Sequence, residues 1–455
     1  MAPALLFLLL PLLFLLVSCY PHRYFVRDTG KATDQDYIAR FHQRFSRIAD
    51  PERSEDYAGV PRYDRLYMGS FAKRNLERIV SGANEDGWLA WGLSYHMMSL
   101  NQMFRVTGDS KYLWMNMSYI LSVDTVRDDR RGVRLWTGAT APAWGSVGCA
   151  ERGRSVFAVQ TGMITFPILD FLSLIGESGR PDLVPVEVAS GIRDMALEAL
   201  SFHDPQWKDG PLEDEGHYVG RDQEERFEDK PLPANRQSAM GRAQWAAYRV
   251  TGDQDYRRRA VAIGRYLKRR LFVARDGACY WNFVLPKEPI RGVFPRERIK
   301  GEDISHGALS ASLPLLLHSE GEVFTELDMV RIGRTVTRGF GRLGDGVLFG
   351  DITGSPVSDP SYVSVVTRWI GFSRFVPDVR RLIWEFYRSY VRQPDPYELA
   401  MLITYADPQH STGMRLAVGA GVDDAVRILY CSGKPDRVTN CDGQRLARQT
   451  GREEE

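Results

Sequence analysis

The sequence predicts an all-α fold: an (α/α) toroid of five to six helical hairpins with long loops gathered on one face. Three observations carry this reading. The chain nearly repeats itself, with RVTGDSKY from Arg105 and RVTGDQDY from Arg249, each between two stretches of helical character. Weaker relatives of the same turn lie near Gly176 and Gly179, at Gly321 and near Pro377, a spacing of about 55 to 75 residues, longer than most solenoid repeats. Finally, VFAVQTGMITFPILDFLSLI and GALSASLPLLLH are apolar nearly all round, whereas YRRRAVAIGRYLKRRLF keeps a charged face. The first kind suits helices enclosed on both sides and the second suits an outer layer.

In each copy of the repeat, the glycine (Gly108, Gly252) can take the positive φ that ends a helix. The aspartate after it (Asp109, Asp253) can accept backbone N–H bonds at the start of the next. Inner helices are expected to begin near Trp91, Ser155, Asn235, Asp303 and Tyr362, with a first one within residues 34–81. Four long connections separate the hairpins, and polar and aromatic residues collect in them. Connections of this length build sites or lids in compact domains, so they define the expected functional face.

The 455 residues allow a large core, and the repeat argues for one main domain over residues 19–405. A net charge of +1 excludes a general field for nucleic acid or anionic lipid. Of the 59 basic residues only 9 are Lys; the Arg excess offers planar forks for carboxylate or sulfate, or reflects codon usage alone. Residues 4–17 form an apolar run of signal-peptide length, too short to span a bilayer, placing a signal peptide at 1–18 and the protein outside the cytoplasm, in the periplasm or at the outer membrane. The run ends Leu16-Val17-Ser18-Cys19, which resembles a bacterial lipobox and would tie the chain to a membrane through a lipid on Cys19. No Lys or Arg precedes the run, a departure from that pattern. Cys431 and Cys441 close a short loop in the C-terminal extension, 406–455, and are expected to form a disulfide; Cys149 and Cys279 pair or stay free.

The strongest chemical constellation is Gly301-Glu302-Asp303-Ile304-Ser305-His306-Gly307, at the expected N-terminus of an inner helix. Unpaired N–H groups and the helix dipole favour anions there. His306 or Glu302 then serves as acid/base; otherwise Asp303 or Ser305 caps the helix and His306 is a packed ring. Upstream, Tyr280 and Trp281 offer a proton donor and a stacking face for a sugar, or a strand that packs the loop down. The stretch holding Glu213, Asp214, Glu215, His217 and Tyr218 is acid-rich and precedes Asn235 and Arg236, which open the next inner helix. Trp136, Trp144, Glu151, Arg152 and Arg154 lead into the third hairpin, and Trp88 and Trp91 into the second, as cleft walls or as plugs between helices. Phosphate-loop, GxSxG, HExxH and EF-hand patterns are missing, as are zinc-type cysteine pairs. No cofactor is therefore expected, although the loop acids leave room for a calcium ion.

On the segments QWAAYRVTGDQDYRRRA, DGACYWNF and GEDISHG, the chain resembles the (α/α) toroid enzymes of polysaccharide metabolism: polysaccharide lyases, glucuronyl C5-epimerases and six-hairpin glycosidases. The resemblance spans roughly residues 34–405 as architecture. It implies a cleft lined by the loops that enter the inner helices, with oligosaccharide across it. The implied partner is a polysaccharide, and the leading expectation is a lyase or C5-epimerase that removes the C5 proton of a uronic acid. Catalysis would rest on His306, Tyr280, Glu302 and Asp303, and substrate binding on Asn235, Arg236, Trp281, Trp144, Glu213, His217 and Arg154. The alternatives are a glycoside hydrolase pairing Glu302 or Asp303 with Glu213 or Asp214, and a non-catalytic glycan-binding or scaffold lipoprotein.

Overall fold

The computed structural model describes residues 33–48, 58–148, 150, 152–221, 227–341, 347–355 and 360–406. Cys19 and the apolar run before it, Cys149, Glu151 and the Cys431–Cys441 loop lie outside the described residues. Three helices come first: α1 (Asp34–Arg44), α2 (Val60–Tyr67) and α3 (Ser70–Gly82). Then follow the hairpins α4 (Ser94–Thr107) with α5 (Ser110–Thr125), α6 (Ala158–Glu177) with α7 (Val186–Ser201), and α8 (Ala234–Thr251) with α9 (Gln254–Lys268). After them come α10 (Ile304–Ser319) with α11 (Glu326–Arg334), a 3₁₀ segment Pro360–Arg374 with α12 (Asp378–Tyr390), and α13 (Pro396–Thr404).

The repeated turn is built as its residues dictate. Gly108 and Gly252 sit at φ 70° and 74°, the left-handed C-cap conformation, and their N–H groups close onto Phe104 and Tyr248 carbonyls. Asp109 then accepts from the Lys111 N–H at 3.0 Å and Asp253 from the Asp255 N–H at 2.9 Å. Thr107 and Thr251 take the aspartates' own N–H groups, both at 3.1 Å, so the two copies share one hydrogen-bond pattern.

Among the described residues the inner ring runs α4, α6, α8, α10, the 3₁₀ segment and α13, and α13 packs back onto α4 to close it. The close approaches are set by small residues. A Cβ on Gly162 of α6 would lie 2.7 Å from the Ala239 backbone of α8, and one on Gly307 of α10 would lie 2.7 Å from Ile352. Polar ties join neighbours: Asn101 to the Pro167 carbonyl (2.9 Å), Ser238 to the Ser310 carbonyl (2.9 Å), Trp369 Nε1 to the Ile304 carbonyl (2.9 Å) and Gln102 to Thr404 (2.9 Å). Helix α6 is long and apolar enough to cross a membrane, but it is mostly buried as part of the ring wall. Helices α5, α7, α9, α11 and α12 pack outside the ring; α9, α11 and α12 are amphipathic, whereas α5 is buried on most sides.

The expected inner helix within 34–81 is not there. Its place in the ring is taken by α13, near the opposite end of the chain. Helices α1 to α3 instead cover the outside, with α2 on α13 and α3 on α5, and Tyr37 Oη donates to the Leu348 carbonyl at 2.6 Å. The reason is amphipathic patterning. Tyr63 and Tyr67 of α2, and Ala72 and Ile79 of α3, are buried while most of their neighbours face solvent, the one-sided pattern of an outer helix. The long connections are also more ordered than expected. Strands β1 (Trp207–Asp209) and β2 (Gly216–Tyr218) form an antiparallel hairpin, and β3 (Phe272–Ala274) is flanked by β4 (Cys279–Tyr280) and β5 (Val293–Phe294).

Candidate active site

The loops enter the ring at the N-terminal ends of the inner helices, and the constellation at α10 lies there. Asp303 is the N-cap: its Oδ1 accepts from the Ser305 and His306 N–H groups, both at 3.0 Å, which satisfies two donors of the first turn. Its Oδ2 bonds the Nδ1 of His306. The His306 ring is thereby held through one nitrogen, and its side chain stays 31 % exposed between Phe283 (ring centroids 5.6 Å) and Tyr362 (6.4 Å). Burial pulls the His306 pKa down, but the charge and hydrogen bond of Asp303, helped by Glu302, outweigh it and the net shift is upward. Arg236 opposes that shift, so its charge acts on the imidazole across the α8–α10 seam.

Glu302 is fully buried. Trp281 Nε1 and Ser310 Oγ both donate to its Oε2 at 2.6 Å, and its Oε1 has no hydrogen-bond partner among the described residues. Burial pushes its carboxyl up to about 8 despite those two bonds. A third carboxyl comes from the connection before the 3₁₀ segment. Residues 350–352 pair with 302–304, the Ile304 N–H bonding the Gly350 carbonyl and the Ile352 N–H the Glu302 carbonyl, both at 2.9 Å. This sets Asp351 against Gly301, where a Cβ would lie 2.6 Å from the Asp351 carboxylate. Thr353 N–H donates to Asp351 Oδ1 at 2.7 Å, yet burial holds that carboxyl up at about 7. The site thus combines one oriented, accessible imidazole, one carboxylate that orients it, and two carboxyls biased toward the neutral form.

Other expected site residues fall into place differently. Asn235 and Arg236 do open α8 beside this cluster, and the Oδ1 of Asn235 is buried with no hydrogen-bond partner among the described residues. Tyr280 is fully buried in a satellite cluster with Ala274, Ala278 and Ile299, and its hydroxyl donates to Asp276 at 3.1 Å. Adjacent strand residues face opposite sides, so Trp281 turns inward to Glu302 and stacks on Trp369 while Tyr280 turns away. Buried as it is, Trp281 shapes the carboxyl's surroundings and offers no stacking face.

The acid-rich loop is tied to the outer layer. Asp214 pairs with Arg269 (2.6 Å) and Arg265 (3.5 Å), and Glu215 with the buried Arg270 (3.1 Å). His217 stacks on Tyr266 of α9 at 4.8 Å, and burial lowers its pKa to about 4. Glu213 is exposed on the same loop, so the pairing of Glu302 or Asp303 with Glu213 or Asp214 finds no support. Arg154 binds Asp128 through Nε (2.9 Å) and Nη2 (2.6 Å), and Trp144 is buried with its Nε1 on the Val123 carbonyl at 2.8 Å. Both bolt the third connection down.

Asp351, Tyr362 and Phe283 were not singled out by sequence reasoning. Asp351 follows a glycine in a connection already assigned to the functional face, which is the one signal that could have found it. Among the described residues no His, Cys, Asp or Glu group is arranged to hold a metal ion, and Cys279 is a buried free thiol.

No family model matches the chain, and neither does any curated protein. Among the solved structures to which the chain is similar are two of one enzyme. One is the GH76A α-1,6-mannanase from Salegentibacter sp. HEL1_6, at 14% identity over 74% of this chain and 97% of that one, with a TM-score of 0.40. The other is an inactive double variant of the same enzyme in complex with α-1,6-mannotriose, at 15% identity over 72% and 82%, with a TM-score of 0.39.

Proposed function

We propose that the protein is a carbohydrate-active enzyme whose acid/base is His306, oriented by Asp303, and that it transfers a proton on an acidic polysaccharide held across the loop face. The observation that supports this most is the accessibility of the His306 ring together with its anchoring through Nδ1. An imidazole fixed in this way presents Nε2 as the proton-accepting atom. Abstraction at C5 of a uronic acid also needs the sugar's carboxylate to be neutralised, and Asn235 and Arg236 at the first turn of α8 are placed for that role. Tyr362, beside His306, replaces Tyr280 as the donor to the leaving oxygen. Glu302 and Asp351, kept neutral, lessen the negative charge next to the incoming carboxylate. The product is then an unsaturated uronide if the leaving oxygen departs, or an epimer if a proton returns on the other face.

A second reading is glycoside hydrolysis, favoured by the meeting of Glu302, Asp303 and Asp351. Acid–base hydrolysis uses a carboxyl kept neutral as the proton donor beside a second carboxyl, and burial biases Glu302 and Asp351 toward the neutral form. Products separate the readings. Wild-type protein incubated with uronic-acid and neutral polysaccharides yields ultraviolet-absorbing chain ends if it is a lyase, and new reducing ends without absorbance if it is a hydrolase. Deuterium uptake from heavy water with chain length unchanged identifies an epimerase. Full activity of His306→Ala would defeat the His306 assignment under any of these.

A further inference from the structure

We propose that the ring holds a second binding site, in its inner channel at the end away from the loops, for an organic anion carrying a carboxylate or phosphate group. A cavity of about 1030 Å³ lies there, bounded by the middle and C-terminal parts of the inner helices. That volume matches the size of small-molecule sites. Five guanidinium groups line it, those of Arg105, Arg242, Arg249, Arg368 and Arg374, against the carboxylates of Asp170 and Glu320.

Three of the five have carboxylate partners. Arg105 pairs with Asp170, Arg249 with Glu177 and more distantly with Glu320 (3.9 Å), and Arg368 with Asp395 at 3.3 Å. Arg242 has none among the described residues, although it is only 5 % exposed. Its Nη atoms reach the sulfurs of Met98 (3.9 Å) and Met163 (3.2 Å), which are weak acceptors, its Nε has no partner, and its plane lies 4.5 Å from the Phe166 ring centroid. Burial lowers its pKa, and the more distant Tyr95, Tyr397 and Asp170, none of them in an ion pair with it, only partly offset this. Arg374, at the exposed rim, also has no ion pair among the described residues, resting against Tyr405.

A buried cation without a counterion is costly, and such groups are normally paired or bind something. Arg242 lines a cavity with excess positive charge, and its planar fork of donors, held only by weak sulfur acceptors, is suited to bidentate capture of carboxylate or phosphate. Phe166, Phe372 and Tyr397 on the walls suit a ligand with a carbon body. None of these residues belongs to the His306 cluster, so this site stands or falls apart from the proposed chemistry.

Calorimetric titration and thermal melting of the full chain would test it, using inorganic phosphate and citrate as probes of charge and digalacturonate as a probe of a carboxylated saccharide. At least one probe is expected to bind saturably and raise the Tm. Arg242→Met should weaken that binding by roughly 10- to 100-fold, the worth of one charge-assisted hydrogen bond, and should raise the Tm in anion-free buffer because an uncompensated charge is gone. Arg374→Ala, at the rim, should weaken binding with the fold intact, which serves if Arg242→Met does not fold. Absence of binding by all three probes, or equal binding by wild type and both variants, would overturn the proposal. So would a lower Tm for Arg242→Met in anion-free buffer together with unchanged binding by Arg374→Ala.

Discussion

The two ends of the ring treat charge in opposite ways. At the loop end nearly every buried charge is answered: Arg154 by Asp128, Arg270 by Glu215, His306 by Asp303. Where a carboxyl is not answered, as at Glu302 and Asp351, burial favours its neutral form. At the far end Arg242 keeps a guanidinium in the wall with no ion pair among the described residues, its direct contacts being sulfur and a ring. A carboxyl can escape burial by taking up a proton near neutral pH, whereas a guanidinium cannot easily lose one. The loop end is therefore self-sufficient without a ligand, and the far end is not.

The largest expected effect that sharpens this contrast is on activity. Removing the imidazole with His306→Ala should cost about 10²- to 10⁴-fold in turnover, the usual worth of one general acid or base, with little change in Tm because the ring is part-exposed. A normal Tm with normal turnover would break the assignment. Next comes stability. Arg154→Ala leaves the buried Asp128 carboxylate without a counter-charge, held only by the Gly145 N–H at 3.1 Å, and should cost about 3–5 kcal/mol in urea unfolding; a loss below about 1 kcal/mol would mean water reaches Asp128 easily.

The third effect is in pH dependence. Glu302 has its carboxyl raised in the folded state to about 8 from an unfolded value near 4.5. Between those values the folded state binds the extra proton, so this group's stabilising contribution is complete below the unfolded pKa and is lost as pH rises toward 8. Asp351 acts in the same direction with its folded value at about 7. Glu302→Gln should flatten the decline in Tm over that window, and an unchanged slope would show that Glu302 is ionised. The smallest effect tests the repeat. Asp253→Ala removes one N-cap and should cost about 1 kcal/mol, matched by Asp109→Ala if the two turns are equivalent.

What could be read from the sequence divides by range of interaction. The repeated turn was legible because everything that makes it, the Gly φ, the Asp cap and the Thr that holds it, lies within a few residues. Asp303 as a helix cap was legible for the same reason, but the sequence set that cap against an acid/base His306, whereas the structure joins them through Oδ2 and Nδ1. Ring closure was not. Helix α13 has only nine residues, and although its Asp395–Glu398 capping box is written in the chain, nothing local says that it is the sixth wall of the ring and that α1 to α3 are outer cover. Asp351 was missed because its place depends on residues 350–352 pairing with 302–304, with the whole α10–α11 hairpin between them. Trp144, Arg154 and the acid-rich loop look in sequence like a sugar cleft. Their partners, Val123, Asp128 and Arg270, are distant, and only the fold shows that they act as bolts.

The account's central claim is that Asp303 sets both the orientation and the proton affinity of His306. It is tested most directly by the pH profile of kcat/KM for wild type and Asp303→Asn, on whichever polysaccharide the product assay identifies. Asn retains the helix cap but removes the charge. Because Asp303 raises the His306 pKa, the limb on which the base becomes deprotonated should move to lower pH in Asp303→Asn, with a lower plateau. A limb at the same pH as wild type with an undiminished plateau would contradict the claim and move the chemistry to the carboxyls.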